Sequence, residues 1–230
     1  MQRNIVLSVG EYYHIYSRGV EKRKIFLNER DYERFTILIY LCNSEKVVHV
    51  SDHKEKKLIE FFGLEKGKNL VDIGAYCLMP NHFHLLLKEK IEGGITLFMK
   101  KLLTGYSMYF NKKYNRTGPL FEGRFKAKHL NYDQYLKYQF TYIHLNPIGI
   151  IDNGWKNKEI SNVERGLKFL QDYKYSSFLD YSRGERITGK ILNKGSFPEY
   201  FQNKIEFSDM VKEWMNFEKD DVKDGPCEVV

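Results

Sequence analysis

The sequence predicts an α+β domain in which an antiparallel sheet of the ferredoxin-like kind carries helices on one face. Three observations lead there. Segments near residues 11–17, 71–78 and 81–88 are rich in β-branched and aromatic residues and read as strands. Segments near 28–43, 96–114 and 131–145 repeat apolar residues every three to four positions and read as helices. These elements interleave as β-α-(β-α)-β-β-α-β-α, an order that such a sheet accommodates.

Each element has its own local reason. Glu11-Tyr-Tyr-His-Ile-Tyr-Ser17 alternates and stops at Arg18-Gly19. Asn28 is a good helix N-cap, and Glu29 and Asp31 place negative charge in the first turn, opposite the helix dipole. Val47 to Val50 predicts a short strand, and Asp52 to Phe62 a second helix. Val71 to Leu78 and Asn81 to Lys88 form a hairpin around Met79-Pro80-Asn81, where Pro80 suits the turn because it has no N–H for the ladder. Gly93-Gly94 breaks the chain before an amphipathic helix from Thr96 to Tyr114, with Phe98, Leu102, Tyr106, Tyr109 and Phe110 on its apolar stripe. Arg124 to Leu130 predicts a strand. Asn131 then caps a helix that runs to Leu145 and stops at Asn146-Pro147. Beyond Gly149 the pattern weakens. The aromatic run Tyr173-Lys-Tyr-Ser-Ser-Phe is expected to pack back onto the domain, Ser208 to Asn216 to form a short helix, and the charged tail to be disordered.

Length and composition set the frame. The 230 residues suit one domain, taken here as 1–185, with an extension over 186–230. Three unclustered cysteines argue against a disulfide framework or a Cys-x-x-Cys zinc site and fit a reducing compartment. No signal-peptide pattern opens the chain, and no run approaches the ~20 apolar residues a membrane span needs. A bacterial cytoplasmic, nucleoid-associated protein is therefore expected, with no membrane partner. The formal charge of +7 favours an anionic partner. With 17 Tyr and 16 Phe, the chain also has rings that could stack on unpaired bases.

The most informative segment is Met79-Pro80-Asn81-His82-Phe83-His84-Leu85-Leu86. Residues i and i+2 of a strand share a face about 6.6 Å apart, so His82 and His84 project together while Phe83 packs behind. Two imidazoles are part of a facial metal site, although a lone His-x-His is a weak signal. On the last core helix, Tyr142 and Asn146 are four apart and share a helix face within about 6 Å. An Asn oxygen can complete a site begun by two imidazoles, and a phenol one turn away then sits beside the same ion. Tyr135 and Tyr138 are rival phenols on that helix, and Tyr138 has no metal-capable residue four positions on. Asn146 also suits a helix end before Pro147. His14 and His129 are expected to be structural or DNA-facing.

Pro80-Asn81-His82-Phe83-His84-Leu85-Leu86 resembles the histidine-hydrophobic-histidine motif of the HUH single-strand endonucleases. Tyr142-Ile-His-Leu-Asn146-Pro147 resembles the Tyr-x-x-x-Asn/Gln motif of their single-tyrosine (Y1) transposases. Tyr13-His-Ile-Tyr-Ser-Arg18-Gly19 and Gly118-Pro-Leu-Phe-Glu-Gly-Arg124-Phe-Lys-Ala127 resemble further signatures of one branch, the REP-associated tyrosine transposases, relatives of the IS200/IS605 enzymes. The resemblance spans about residues 10–182, with the motifs in order. It implies Tyr142 as nucleophile, His82, His84 and Asn146 as metal ligands, Mg²⁺ or Mn²⁺ as cofactor, and single-stranded, hairpin-bearing DNA as substrate. It further implies a site-specific nuclease and strand transferase that passes through a 5′-phosphotyrosine. Relatives often act as dimers, some lending the tyrosine helix to the neighbour's site, so both monomer and homodimer stay open here.

From Thr96 to Leu130, Lys100, Lys101, Lys112, Lys113, Arg116, Arg124, Lys126 and Lys128 face one acid, Glu122. With Arg18 beside the first strand, these cations are the expected DNA-binding set, giving affinity without sequence preference. A solvated helix face is the plainer explanation of the same charges. Two other functions compete. One is a domesticated nucleic-acid-binding protein without cleavage. The other is a metallohydrolase that uses water and needs an acidic base beside the histidines.

Overall fold

Tyr12–Arg18 (β1), Val71–Met79 (β2), His82–Glu89 (β3) and Lys126–His129 (β4) form one sheet in the order β2-β3-β1-β4. Every neighbouring pair is antiparallel. This computed structural model describes residues 5–48, 50–53, 55–157, 160–184, 186–198 and 203–216. The helices between strands are Glu29–Cys42 (α1), the short Leu58–Phe61 (α2) and Gly94–Lys113 (α3). Asp133–Leu145 (α4), Val163–Asp172 (α5), Phe178–Ser182 (α6) and Lys204–Asn216 (α7) follow the last strand. Strand order and direction are those of the ferredoxin-like arrangement the sequence predicts.

One face of the sheet turns Tyr13, Ile15, Phe83, Leu85 and Leu87 into a core shared with Phe35 and Ile39 of α1 and Phe98, Leu102 and Tyr106 of α3. Helices on a single face hold for this βαββαβ unit. The second face is covered as well. Ala75, Cys77, Met79 and Leu86 pack under Leu136, Phe140 and Ile143 of α4, with Leu170, Phe178, Phe207 and Val211 from the helices beyond. Asn193 and Phe197 close the same region, while Ile187 and Ile191 before them join the first core. The backbone N–H of Asn193 donates to Ile73, and the Phe197 ring lies over Gly74, where a Cβ would come within 2.6 Å of it. Gly74 is also the extra residue where the β2–β3 register slips between Ile73 and Ala75, a bulge that re-aims the rest of β2.

Local sequence explains most boundaries. Asn28 is the N-cap of α1, and the buried Asp31 carboxylate accepts from the N–H groups of Leu27 and Asn28. α3 starts two residues earlier than the sequence predicts, because Gly93 caps it in the left-handed region at φ 71°. Gly94 then approaches the Leu70 carbonyl so closely that a Cβ would sit 2.3 Å away. The expected strand at Val47–Val50 does not form among the described residues. Val47 is exposed, so the alternation has no face to bury, and Val50–His53 is a 3-10 turn. The helix expected from Asp52 to Phe62 shrinks to the four residues of α2. The N-cap of α4 is Tyr132 rather than Asn131. α5, which the sequence pattern does not announce, is capped by Asn162, whose side chain accepts from the Arg165 N–H at 2.8 Å. The Tyr173–Phe178 run does pack back. It bonds the outer edge of β2 through Leu78 N–H to Tyr175 and Ser177 N–H to Tyr76, closing an otherwise open strand. α7 begins at Lys204, four residues before the expected Ser208. The expected disordered tail, 217–230, lies outside the described residues.

Candidate active site

The second face of the sheet carries a cluster of imidazole and phenol rings under α4. β3 turns His82 and His84 to this face, and the neighbouring β1 adds His14 and Tyr16. The His82 and His84 ring centroids are 4.9 Å apart and nearly perpendicular. α4 crosses above them and delivers Tyr142, whose ring centroid is 5.9 Å from that of His84. Asn146 follows one turn later, its backbone N–H donating to the Tyr142 carbonyl, so the i, i+4 relation survives the change to a 3-10 turn at Asn146–Ile150.

These four side chains line one cavity of about 190 Å³ with Tyr16, Arg18, Met79, Asn81, Gly149 and Trp155. One chain supplies all of them. His84, Asn146 and Tyr142 are 1%, 2% and 3% exposed, whereas His82 sits at the half-buried rim. The hairpin turn serves the site directly. Pro80 offers its carbonyl to the N–H groups of Ile25 and Phe26, tying the turn to the segment before α1. Asn81 uses its Nδ2 on the Lys22 carbonyl and its Oδ1 on His82 Nδ1, at 2.6 Å. His84 Nδ1 is 2.8 Å from His14 Nε2. Burial, reinforced by Lys128 and His82, pushes the His14 pKa down to about 3, so its ring is neutral.

The donor set fits a divalent cation. Among the described residues no group of three or more His, Cys, Asp or Glu could hold a metal ion, so a third donor must be of another type. Asn146 offers one. The atom that could ligate is its carboxamide oxygen; its buried Nδ2, without a hydrogen-bond partner among the described residues, is a donor and suits an anionic oxygen instead. Among the described residues no Asp or Glu lines the cavity, and Arg18 brings the one formal charge. Such a lining suits an anionic phosphodiester.

Several participants are not evident from the sequence. Tyr16 is a second cavity phenol, its ring centroid 6.0 Å from His84, on a strand whose alternation gives no hint of a site. Burial first, then Tyr135, raises its pKa. Trp155 stacks on Tyr142 at 5.3 Å and is itself met by Trp214 of α7 at 5.8 Å. Gly149 leaves room for that indole, since a Cβ there would be 2.5 Å from its Nε1. Of the rival phenols, Tyr138 packs against Tyr142 and Trp214, and the Lys128 ammonium sits over the Tyr135 ring. Neither lines the cavity.

The family-level comparison turns on where the site residues fall. The family model described as "Transposase IS200 like" matches residues 10–146, more than half of the chain, and its span closes on Asn146. The chain belongs to the IS200-like transposase family. No curated protein matches it significantly. Among solved structures, the chain resembles one titled as a REP-associated tyrosine transposase bound to a REP hairpin, at 11% identity and a TM-score of 0.46, over 100% of this chain and 99% of that one. A weaker likeness, at 14% identity and a TM-score of 0.35 over 88% and 87% of the two chains, is to the tRNA(His) guanylyltransferase of Saccharomyces cerevisiae. Both are too distant to carry function.

The nine cations singled out in the transposase sequence divide by position. Arg18, Arg124 and Lys126 line a cleft with Tyr16, Ser17 and Glu122 that adjoins the cavity through Tyr16 and Arg18, and Lys128 follows on β4. Lys100, Lys101, Lys112, Lys113 and Arg116 belong to α3 and its C-terminal turn, across the sheet from the cavity. Lys101 donates to the Ser44 and Lys46 carbonyls, and Lys113 pairs with buried Asp31 at 2.6 Å. Arg116 donates to Asn111 and the Pro119 carbonyl. No described helix is long and apolar enough to cross a membrane.

Proposed function

We propose that this transposase cleaves and rejoins single-stranded DNA beside a hairpin, with Tyr142 as nucleophile. One observation carries the proposal: Tyr142, His82, His84 and Asn146, from two distant sequence segments, line a single cavity. His82 and His84 through their imidazoles, and Asn146 through its carboxamide, would hold Mg²⁺ or Mn²⁺. Such an ion, when bound, grips a non-bridging phosphate oxygen and makes the phosphorus a better electrophile.

The chain's own groups do the rest. Arg18 at the cavity wall attracts the phosphodiester, and Arg124, Lys126 and Lys128 hold the strand that leads to it. On the α3 side Lys100 and Lys112 supply further phosphate contacts to a hairpin long enough to reach them, whereas Lys101, Lys113 and Arg116 are engaged within the protein. The Tyr142 oxygen forms a bond to phosphorus while the bond to the 3′ oxygen breaks. The phenol gives up its proton and the departing oxygen gains one, leaving a 5′-phosphotyrosine and a free 3′-hydroxyl. One phosphodiester replaces another, so a second strand's hydroxyl can reverse the step without ATP. Trp155, stacked on the phenol, restricts the ring to the orientation that faces the histidines. In this assignment the catalytic unit is residues 1–185, and α7 of the extension supports it from behind α4.

The cavity lining disfavours a water-using hydrolase, because among the described residues it contains no carboxylate to act as base. Incubation with Mn²⁺ and a hairpin-bearing single strand should yield a protein–DNA adduct stable to denaturing gels. Tyr142→Phe should lose it, while Tyr16→Phe should keep it. His82→Ala and His84→Ala should bind the oligonucleotide but cut it poorly. Tight hairpin binding with no adduct in any variant would instead support a binding protein without cleavage.

A further inference from the structure

The two histidines of the cavity are held in the same way from different directions. Each has its Nδ1 engaged by a neighbouring side chain: His82 by Asn81 Oδ1 at 2.6 Å, His84 by His14 Nε2 at 2.8 Å. Asn81 is fixed in its role. Its Nδ2 donates to the Lys22 carbonyl, so its oxygen faces His82 and can only accept. His82 therefore carries its proton on Nδ1 and presents a lone pair at Nε2. The His14–His84 contact brings two ring nitrogens to 2.8 Å, and one of them must donate. Either His84 donates from Nδ1, or His14 donates from Nε2 and obliges His84 to carry its own proton on Nε2.

We propose that His14, like Asn81, is a positioning residue: it accepts from His84 Nδ1–H, so that both histidines present unprotonated Nε2 atoms to a divalent cation. The inference rests on the reading of His82 and His84 as ligands and adds what selects their tautomers. Only one arrangement of the pair serves that reading, since a protonated Nε2 cannot ligate. It has a cost. His14 Nδ1 is buried without a hydrogen-bond partner among the described residues, and in this tautomer it bears the hydrogen. The position also explains why a histidine stands on the core face of β1, stacked between Tyr16 and His84, where an apolar residue would pack more cheaply. Both acceptors are neutral, unlike the carboxylates that commonly back metal-bound histidines, so they orient the rings without adding charge.

Long-range ¹⁵N–¹H correlation spectra of the metal-free protein read the tautomers directly. The expected result is a protonated Nδ1 and unprotonated Nε2 on both His82 and His84, with His14 protonated on Nδ1. A proton on His84 Nε2 overturns the proposal without any variant being made. Mn²⁺ titration followed by electron paramagnetic resonance gives a second readout. His14→Phe should weaken Mn²⁺ binding by about 10- to 100-fold, the usual effect of losing such a partner. His14→Gln, whose carboxamide oxygen can still accept, should recover most of it. Equal losses in both variants would mean that His14 serves packing alone and would overturn the role. If wild type and His84→Ala bind Mn²⁺ equally, it is the ligand assignment beneath the proposal that fails.

Discussion

Toward α1 and α3, β3 turns Phe83, Leu85 and Leu87; toward α4, the same strand turns His82 and His84 before Leu86 closes the row. The first face is filled by interlocking rings. Phe35 meets Phe83 at 5.0 Å and Tyr106 at 4.8 Å, and the polar tips find partners, as when the Tyr106 hydroxyl donates to the Ile25 carbonyl at 2.5 Å. Among the described residues Ser17 Oγ and Glu89 Oε1 are buried without hydrogen-bond partners on the first face, whereas the second leaves His14 Nδ1, Gln139 Nε2 and Asn146 Nδ2 so, two of them in or against the cavity. Burying a polar group unpaired costs free energy, so that face is less stable than it could be. The lesson is a division of labour: one side secures the fold, and the other holds a site that awaits its ligands.

Adjacent residues of β3 should break that division most visibly. Phe83→Ala removes a fully buried ring from the first core and should cost about 3–5 kcal/mol in urea unfolding. His82→Ala, one residue away at the rim, should cost under about 1 kcal/mol yet sharply reduce adduct formation. Similar stability losses in the two variants would erase the contrast.

Buried charge on the first face offers a second handle. Burial alone would raise the Asp31 pKa, but hydrogen bonds from Lys113, the Leu27 N–H, Tyr114 and Tyr109 prevail and hold it below its ordinary 3.8. Lys113→Met leaves that carboxylate unpaired and should cost about 3 kcal/mol. A depressed carboxylate contributes stability that is fully present above the unfolded value and lost as pH falls through the folded one, so this face should weaken only below about pH 4. On the second face, His144 is forced neutral. Burial takes its pKa down to about 3, against the pull of the Phe140 carbonyl and with a small further push from Lys194. Its contribution is full above 6.5 and should drain away between pH 6.5 and 3, by roughly 1 kcal/mol per pH unit. Hydrogen exchange on acidification should therefore rise first in α4 and later in α1.

Much of the first face is legible in the sequence. Alternation along β1 and β3, the Asn28 cap and the α3 stripe all describe local preferences that tertiary packing does not override. The His82, His84, Tyr142, Asn146 grouping is legible through spacing, two apart on a strand and four apart on a helix. The place of His14 is not, since the Tyr13–Gly19 signature contains that histidine but only the strand register sets it beside His84. Trp155 and Trp214 are hidden for a similar reason. They lie in weakly patterned segments and meet Tyr142 through contacts that no local period encodes. Val47 to Val50 misleads because strand propensity without a neighbouring strand to pair with does not make a strand.

Smaller effects sharpen the comparison further. Gly149→Ala would drive a methyl into the Trp155 indole and, through it, disturb the phenol; cleavage should fall about tenfold with hairpin affinity unchanged. The mildest expected change is in salt dependence. Lys126→Ala, in the cleft beside the cavity, should reduce the slope of log affinity against log salt by about 1. Lys100→Ala, on the far side of the sheet, should reduce it by less unless the hairpin wraps around α3.

The most direct test maps the covalent bond itself. A hairpin oligonucleotide trapped on the Mn²⁺-loaded protein, digested and sequenced by mass spectrometry, should carry its 5′-phosphate on Tyr142. Attachment at Tyr16, Tyr135 or Tyr138 would contradict the account, as would cleaved DNA whose phosphate is joined to no residue at all.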